Sequence, residues 1–296
     1  MVVSIGVFDG VHIGHRRVLE KLREVASSKK MPALVFTISH PPEYLSPDFP
    51  GLLLSVEERV AILSRFSEVV VLDFFQIKDL SPKEFVEKYL PGVFGVVVGR
   101  DFRFGKNAEG DTSFLRKNGL EVYEVPDTIV NGKKVSSSLI RKLVQEGRVE
   151  EIPPYLGRYY EISGIVYRDR QFGRKLGFPT ANIDRGREKL VNLKNGVYLV
   201  KVNLPNQEEK FGVMNVGFRP TVSDSTHVKY EVYILDFEGD LYGAHLKVEV
   251  LKFIRPEKKF NSIEELKNTI TQDVETAKRL MDDIINSKLS RRGDGE

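Results

Sequence analysis

The chain has 296 residues, 41% hydrophobic and 29% charged, with no cysteine and a formal net charge of +3. That length can hold two domains with cores of their own, and the missing cysteines exclude disulfides and thiolate chemistry. Residues 1–150 carry 21 basic against 20 acidic side chains and the rest 24 against 22, so neither half shows the bias of a nucleic-acid binder. No signal pattern opens the sequence and no apolar run reaches bilayer length, which sets the expectation of a cytoplasmic protein without membrane contact.

Val2, Val3 and Ile5 predict a short buried strand, and Val18, Leu19, Leu22 and Val25 recur at helical spacing up to about Ser28. Between them lies Gly6-Val7-Phe8-Asp9-Gly10-Val11-His12-Ile13-Gly14-His15. A glycine-rich turn of this kind lets backbone approach a ligand, and the helix start offers unpaired N–H groups to an anion. His12 and His15 project from one side of that start. The stretch therefore reads as a holder of nucleotide phosphates. A His-x-x-His pair can also bind a metal or cap a helix, but no third His or Cys stands nearby. The stretch lacks a Gly-Lys-Ser/Thr ending and the spacing of the dinucleotide fingerprint.

Strand and helix then alternate. Strands are expected at Ala33 to Ile38, Val69 to Leu72, Val93 to Val98 and Leu120 to Val125. Helices are expected at Val56 to Phe66, from Ser81-Pro82 to near Gly92, from Asp111, and from Ser138 to Glu146 before Gly147. This rhythm argues a doubly wound, mostly parallel sheet, with ligands outside the carboxyl ends of its strands. Three more stretches can face that crevice. Gly99 to Gly105, continued by Asn107 to Asp111, places Asp101, Phe102 and Phe104 after a strand; it can hold a flat ring or be a turn with its aromatics tucked inward. Ser136, Ser137 and Ser138 with Arg141 suit a second phosphate grip or a plain N-cap. His40, after the second strand, reads equally as a turn or a site residue.

The texture changes near Glu150, where Ile152-Pro153-Pro154-Tyr155 reads as a stiff linker. Short strands follow at Tyr160 to Tyr167, Gly196 to Val202, Lys210 to Val216, Lys229 to Leu235 and Leu246 to Phe253, the pattern of an antiparallel barrel or sandwich. Ser262 and Glu265 form a capping box ahead of a terminal helix. The expected boundaries are a first domain over 1–150, a linker over 151–157, a second domain over 158–287 and a loose polar tail over 288–296. Gly173 to Asn182 combines basic residues and glycines with Thr180 and Asn182. Side chains two apart in an extended segment share a face, so these two can offer neutral oxygens to Mg²⁺ or phosphate. Glu231 reads as a general base or as a surface ion pair.

Both halves resemble one family, the prokaryotic bifunctional riboflavin kinase/FMN adenylyltransferases, also called FAD synthetases, from about Val3 to Ala277. Gly6–His15 is similar to the family's His-x-Gly-His motif, Ser136–Arg141 to the second nucleotidyltransferase motif, and Gly99–Gly105 with Gly110-Asp111 to the flavin-side loop. Gly177-Phe178-Pro179-Thr180-Ala181-Asn182 is similar to the riboflavin kinase Pro-Thr-Ala-Asn motif; Met214 to Thr221, Glu231 to Phe237 and Phe253 to Glu257 match the same domain. Two positions depart from the pattern: Ser138 stands where Thr is usual, and Tyr233 where His is frequent.

The resemblance implies two reactions. The second domain would phosphorylate riboflavin from ATP to give FMN, with Mg²⁺ held by Thr180 and Asn182, Glu231 as base and Arg255 against the flavin. Gly173, Lys175, Gly177 and Pro179 would line the ATP of that step. The first would join FMN to the adenylyl group of a second ATP, releasing pyrophosphate and FAD. There Gly6, Phe8, Gly14, Ser136, Ser137 and Ser138 would surround ATP, with His12 and His15 on the α-phosphoryl oxygens and Arg141 on the departing phosphates. Asp101, Phe102, Phe104, Asn107 and Asp111 would position FMN. The resemblance implies small-molecule partners only, with no nucleic acid or membrane, in a monomer or weak oligomer. A nucleotidyltransferase for another phosphorylated substrate, or a non-catalytic nucleotide-binding protein, is the competing reading.

Overall fold

A computed structural model describes residues 1–169, 173, 176–219 and 227–293. Contacts divide the chain into two units. The first comprises Met1–Arg141, Pro154–Gly157 and Lys189–Val191, and the second comprises the remaining segments.

In the first unit β1 (Val2–Gly6), α1 (Ile13–Lys29), β2 (Ala33–Ile38), α2 (Val56–Leu63), β3 (Glu68–Leu72), α3 (Phe74–Ile77), α4 (Pro82–Tyr89), β4 (Gly95–Gly99), α5 (Thr112–Lys117) and β5 (Glu121–Val125) follow in order. The strands are all parallel and ordered β3-β2-β1-β4-β5. Alternation explains why β1 is buried on both faces: Val2 packs with Leu19 and Leu22 of α1, while Val3 and Ile5 pack with Phe36 and Phe85 on the other face. The order reverses between β1 and β4, which makes the end of β1 the topological switch point where such sheets bind ligands. Ser81 and Glu84 cap α4 reciprocally, and Asp111 caps α5. A hairpin of β6 (Ile129–Val130) and β7 (Lys133–Lys134) turns through Asn131 and Gly132, both at positive φ. It leads into α6 (Ser137–Glu146).

The paired prolines, read as a stiff linker, are helical. They open α7 (Pro153–Leu156), with Ile152, Tyr155 and Leu156 buried. Proline is accommodated in a first helical turn, and burial of its apolar neighbours decides the conformation.

In the second unit β8 (Tyr160–Tyr167), β9 (Thr180–Asp184), β10 (Gly196–Asn203), β11 (Glu209–Arg219), β12 (His227–Ile234) and β13 (His245–Arg255) close an antiparallel barrel in the order β10-β11-β12-β9-β8-β13. α8 (Ile263–Gly293) lays Val274, Ala277 and Leu280 on Val197, Leu199 and Leu251. Ser262 caps it by accepting the Glu265 N–H at 3.0 Å. Its backbone stays helical past Ser287, where a loose tail was expected. No glycine or proline interrupts Ser287 to Arg292, so nothing local stops the helix before Gly293.

Candidate active sites

The turn after β1 is held in an uncommon backbone. Phe8, Gly10 and Val11 have φ of 54°, 79° and 41°; for a β-branched valine that is an outlier costing about 1–3 kcal/mol. The buried carboxylate of Asp9 braces it. Oδ1 accepts N–H bonds from Leu53 at 2.9 Å and Leu54 at 3.3 Å, and Oδ2 accepts from Arg141 at 2.5 Å. Ser137 donates to the Asp9 carbonyl at 2.8 Å, and the Arg141 guanidinium lies 5.0 Å from the Phe49 ring centre. The turn and the start of α6, far apart in sequence, are thereby locked together.

His12 caps α1: its Nδ1 accepts the His15 N–H at 3.2 Å, so the neutral ring carries its proton on Nε2. The two imidazoles stack with centroids 3.6 Å apart, and Phe8 meets His15 edge-on at 5.3 Å. Burial first, then the His12 ring and the Arg59 guanidinium, hold His15 well below the usual histidine range. It is neutral at pH 7, and its buried Nδ1 has no hydrogen-bond partner. Arg59, fully buried, donates to the Ser39 carbonyl at 2.7 Å. Gly6 and Gly14 sit in tight quarters: a methyl on Gly6 would meet the Phe8 ring at 3.3 Å, and one on Gly14 the His12 ring at 3.1 Å.

The other expected residues divide. Ser136 accepts the Leu139 N–H as a helix cap, and Ser138 is exposed. Phe104 is closed into the core against Phe85, Phe102 and Phe114, so its ring is tucked inward rather than presented to a ligand. Asp111 is spent on capping α5 and on Arg103. Asp101 is exposed and paired with Lys134, which holds its carboxyl below the usual range. Asn107 is exposed at positive φ. His40 contacts Ser39 and meets the Tyr44 ring at a 51° tilt, with centroids 4.1 Å apart.

In the second unit, Glu231 of β12 pairs directly with Asn182 of β9, and Tyr233 with Thr180. Alternation puts all four side chains, and Lys229, on one face. Asn182 is 5% exposed, and its Oδ1 has no hydrogen-bond partner. Pro179, Thr180 and Asn182 line a cavity of about 640 Å³, together with Arg168, Phe237 and Tyr242. That volume falls in the range of small-molecule sites. Lys229 bonds Glu231 at 2.6 Å and also pairs with Asp169. Burial alone would lower its pKa, but these two carboxylates outweigh it and raise the ammonium above the usual lysine range. Tyr233 meets Phe178 edge-on at 5.4 Å. Gly173 lies beside Thr180: a methyl there would come 3.5 Å from Oγ1 and 2.5 Å from the Phe178 carbonyl. Gly177 sits at φ +90° in open space. Lys175, with Arg174, Pro220 and Thr221, lies outside the described residues.

Arg255, expected against the flavin, is paired within the second unit. It grips Asp273 of α8 with two bonds of 2.7 Å and the Pro256 carbonyl at 3.0 Å, so its fork is engaged in holding the helix to the barrel. Sequence reasoning assigned no role to Asp9, Arg59 or Lys229. Asp9 stands inside the motif and Lys229 two residues before Glu231, on the same strand face, so both had a local signal. Arg59 is one of several charged residues on α2 and had none.

A doubly wound unit with stacked histidines at its switch-point helix start, and a barrel carrying a hydroxyl–amide pair, in one chain, define a two-domain nucleotide-using transferase. The profile of the FAD synthetase family matches residues 1–139, and that of the riboflavin kinase family matches residues 156–281. The chain is 36% identical over 290 residues to the bifunctional riboflavin kinase/FMN adenylyltransferase of Listeria monocytogenes, covering 92% of this chain and 90% of the relative. It is 35% identical to the proteins of the same name in Bacillus subtilis (96% and 93% covered) and Escherichia coli K12 (94% and 91%). A solved Streptococcus pneumoniae structure titled as a macrolide-efflux protein superposes with a TM-score of 0.83 at 30% identity, covering 94% of this chain and 93% of that one. Among the described residues no helix is long and apolar enough to cross a membrane. The chain belongs to the bifunctional riboflavin kinase/FMN adenylyltransferase family, with the FAD synthetase domain first and the riboflavin kinase domain second.

Proposed function

We propose that the second unit moves the γ-phosphoryl group of ATP to the ribityl 5′-hydroxyl of riboflavin, and that the first joins the resulting FMN to AMP from a second ATP. The observation that carries this reading is the pairing, in one chain, of the His12–His15 stack at a switch-point helix start with Asn182 set beside Glu231.

In the first unit an FMN phosphate oxygen attacks the α-phosphorus; the new P–O bond forms as the bond to the β-phosphate breaks, and pyrophosphate leaves. The nucleophile is already anionic, so the site must align it and absorb charge rather than remove a proton. His12, with its proton on Nε2, and His15, kept neutral by burial, supply imidazole N–H groups for α-phosphoryl oxygens. The first-turn N–H groups of α1 add to them. Arg141 receives the departing phosphates, and the buried Asp9 carboxylate fixes its guanidinium in place. Asp101 and its loop position FMN, with Phe104 supporting that loop from the core.

In the second unit Glu231 takes the proton of the attacking hydroxyl, and Lys229, 2.6 Å away, orients that carboxylate. The unpartnered Oδ1 of Asn182, with the Thr180 hydroxyl, is a neutral oxygen pair of the kind that suits a hard cation. These residues would hold Mg²⁺, which would supply charge neutralisation at the phosphates. Each set of residues lies within one chain, so a monomer or weak oligomer in the cytoplasm suffices. Incubating the protein with riboflavin, ATP and magnesium, then separating products by chromatography, tests both steps. FMN followed by FAD is expected; another adenylylated product would favour a different nucleotidyltransferase.

A further inference from the structure

The approach to the β6–β7 hairpin carries a polar group that neither motif includes. Thr128 is 4% exposed, and its Oγ1 has no hydrogen-bond partner. Leaving a buried hydroxyl unpaired is costly, and native proteins avoid it unless something else supplies the partner. The backbone here is firmly placed: the Thr128 carbonyl accepts the Val135 N–H at 2.9 Å, and the neighbouring Asp127 is held by Lys134 at 2.9 Å.

The hydroxyl's surroundings indicate the partner. A methyl group built on Gly14 would lie 3.7 Å from Thr128 Oγ1 and 3.2 Å from His12 Nδ1. Thr128 and His12 thus flank the same glycine, on the second residue of α1, where a side chain would fill the space between them. The first bonds that close on His12 come from the N–H groups of His15 and Arg16, so the N–H groups of Ile13 and Gly14 precede the helix ladder and are open to an anion. Two further buried atoms without partners, His15 Nδ1 and Arg141 Nε, belong to the same constellation. A 17-residue helix start, a glycine gap and an orphaned hydroxyl together describe a phosphate seat.

We propose that Thr128 contacts substrate in the adenylyl-transfer site, its hydroxyl donating to a phosphate oxygen of ATP seated at the start of α1. The proposal rests on the FMN adenylyltransferase reading of the first unit and adds to it a residue from a separate element, the hairpin stem. The anion supplies the acceptor that the protein does not.

The test compares Thr128→Val, which keeps the shape and removes the hydroxyl, with Thr128→Ser, which keeps the hydroxyl, in the full chain. Three quantities are measured: kcat/KM for ATP in FAD formation from FMN, FMN formation from riboflavin, and the thermal transition without ligand. Thr128→Val is expected to lower FAD formation by roughly tenfold or more, as loss of a hydrogen bond to a charged group does, with Thr128→Ser within about threefold of the original. FMN formation stays unchanged in both. The ligand-free transition of Thr128→Val stays level or rises, because an unsatisfied hydroxyl has been replaced by a methyl. FAD formation by Thr128→Val equal to that of the original chain overturns the proposal, as does a lowered transition with unaltered kinetics. If the unsubstituted chain makes FMN but no FAD, the adenylyltransferase reading itself fails, and the proposal with it.

Discussion

Asp9→Asn is the substitution whose consequence follows most directly from the geometry. Oδ1 of Asp9 faces two backbone N–H groups, and Oδ2 faces Arg141. An amide must turn its NH₂ toward one of these sets, so a donor confronts donors in either orientation. The side chains of Asp9 and Arg141 are 2% and 11% exposed, and breaking a buried pair from one side costs about 3–5 kcal/mol. The pair Lys21–Glu24 has a comparable 2.7 Å separation but is 39% and 67% exposed, and such pairs are worth about 0–1 kcal/mol. Burial, not distance, sets the difference. Scanning calorimetry should show the first unit's transition lowered by roughly 10 °C in Asp9→Asn, against roughly 2 °C or less in Glu24→Gln. FAD formation should fall as Arg141 loses its anchor, while FMN formation by the same preparation persists. Equal shifts for the two substitutions would refute the claim that Asp9 braces the turn.

Four other outcomes are expected. His12→Ala should lower FAD formation by about 10²–10³, the usual loss for one donor to a charge-developing oxygen, leaving FMN formation intact; this is read from initial rates with each flavin supplied. Glu231→Gln should abolish FMN formation yet leave FAD formation from added FMN unaffected, and loss of both would indicate a folding defect. His15 titrates far below 6.5 when folded and near 6.5 when unfolded. Stability is therefore complete above pH 6.5 and declines as pH falls toward the folded value, by up to about 1.4 kcal/mol per pH unit. Urea midpoints measured across that range should lose this slope in His15→Gln. Gly14→Ala gains about 1 kcal/mol of helix propensity but drives a methyl to 3.1 Å from the His12 ring; circular dichroism should show an intact fold while FAD formation drops.

Element boundaries and motif placement were legible because they depend on neighbours a few residues away. The β-branched run before Gly6, the helical spacing after His15, the Ser81 and Ser262 caps and the alternation over Tyr160–Tyr167 all lie where local periodicity and capping put them. Thr180 and Asn182 share a face because two residues in a strand must. The prolines at 153 and 154, read as a stiff linker, open a helical turn whose neighbours Ile152, Tyr155 and Leu156 are buried, and that burial depends on residues distant in sequence.

By itself, then, the amino-acid sequence determined the two kinds of domain and the family, and marked the stretches proposed to carry the chemistry. Only the tertiary structure decided which partner each polar side chain takes. Arg141 finds Asp9 across 132 positions, Arg255 is drawn to Asp273, and Asn182 comes beside Glu231 through closure of the barrel. The physical reason is that a charge or amide satisfies itself with whatever the fold brings within about 3 Å, and that distance is set by packing across the whole chain, which no local pattern records.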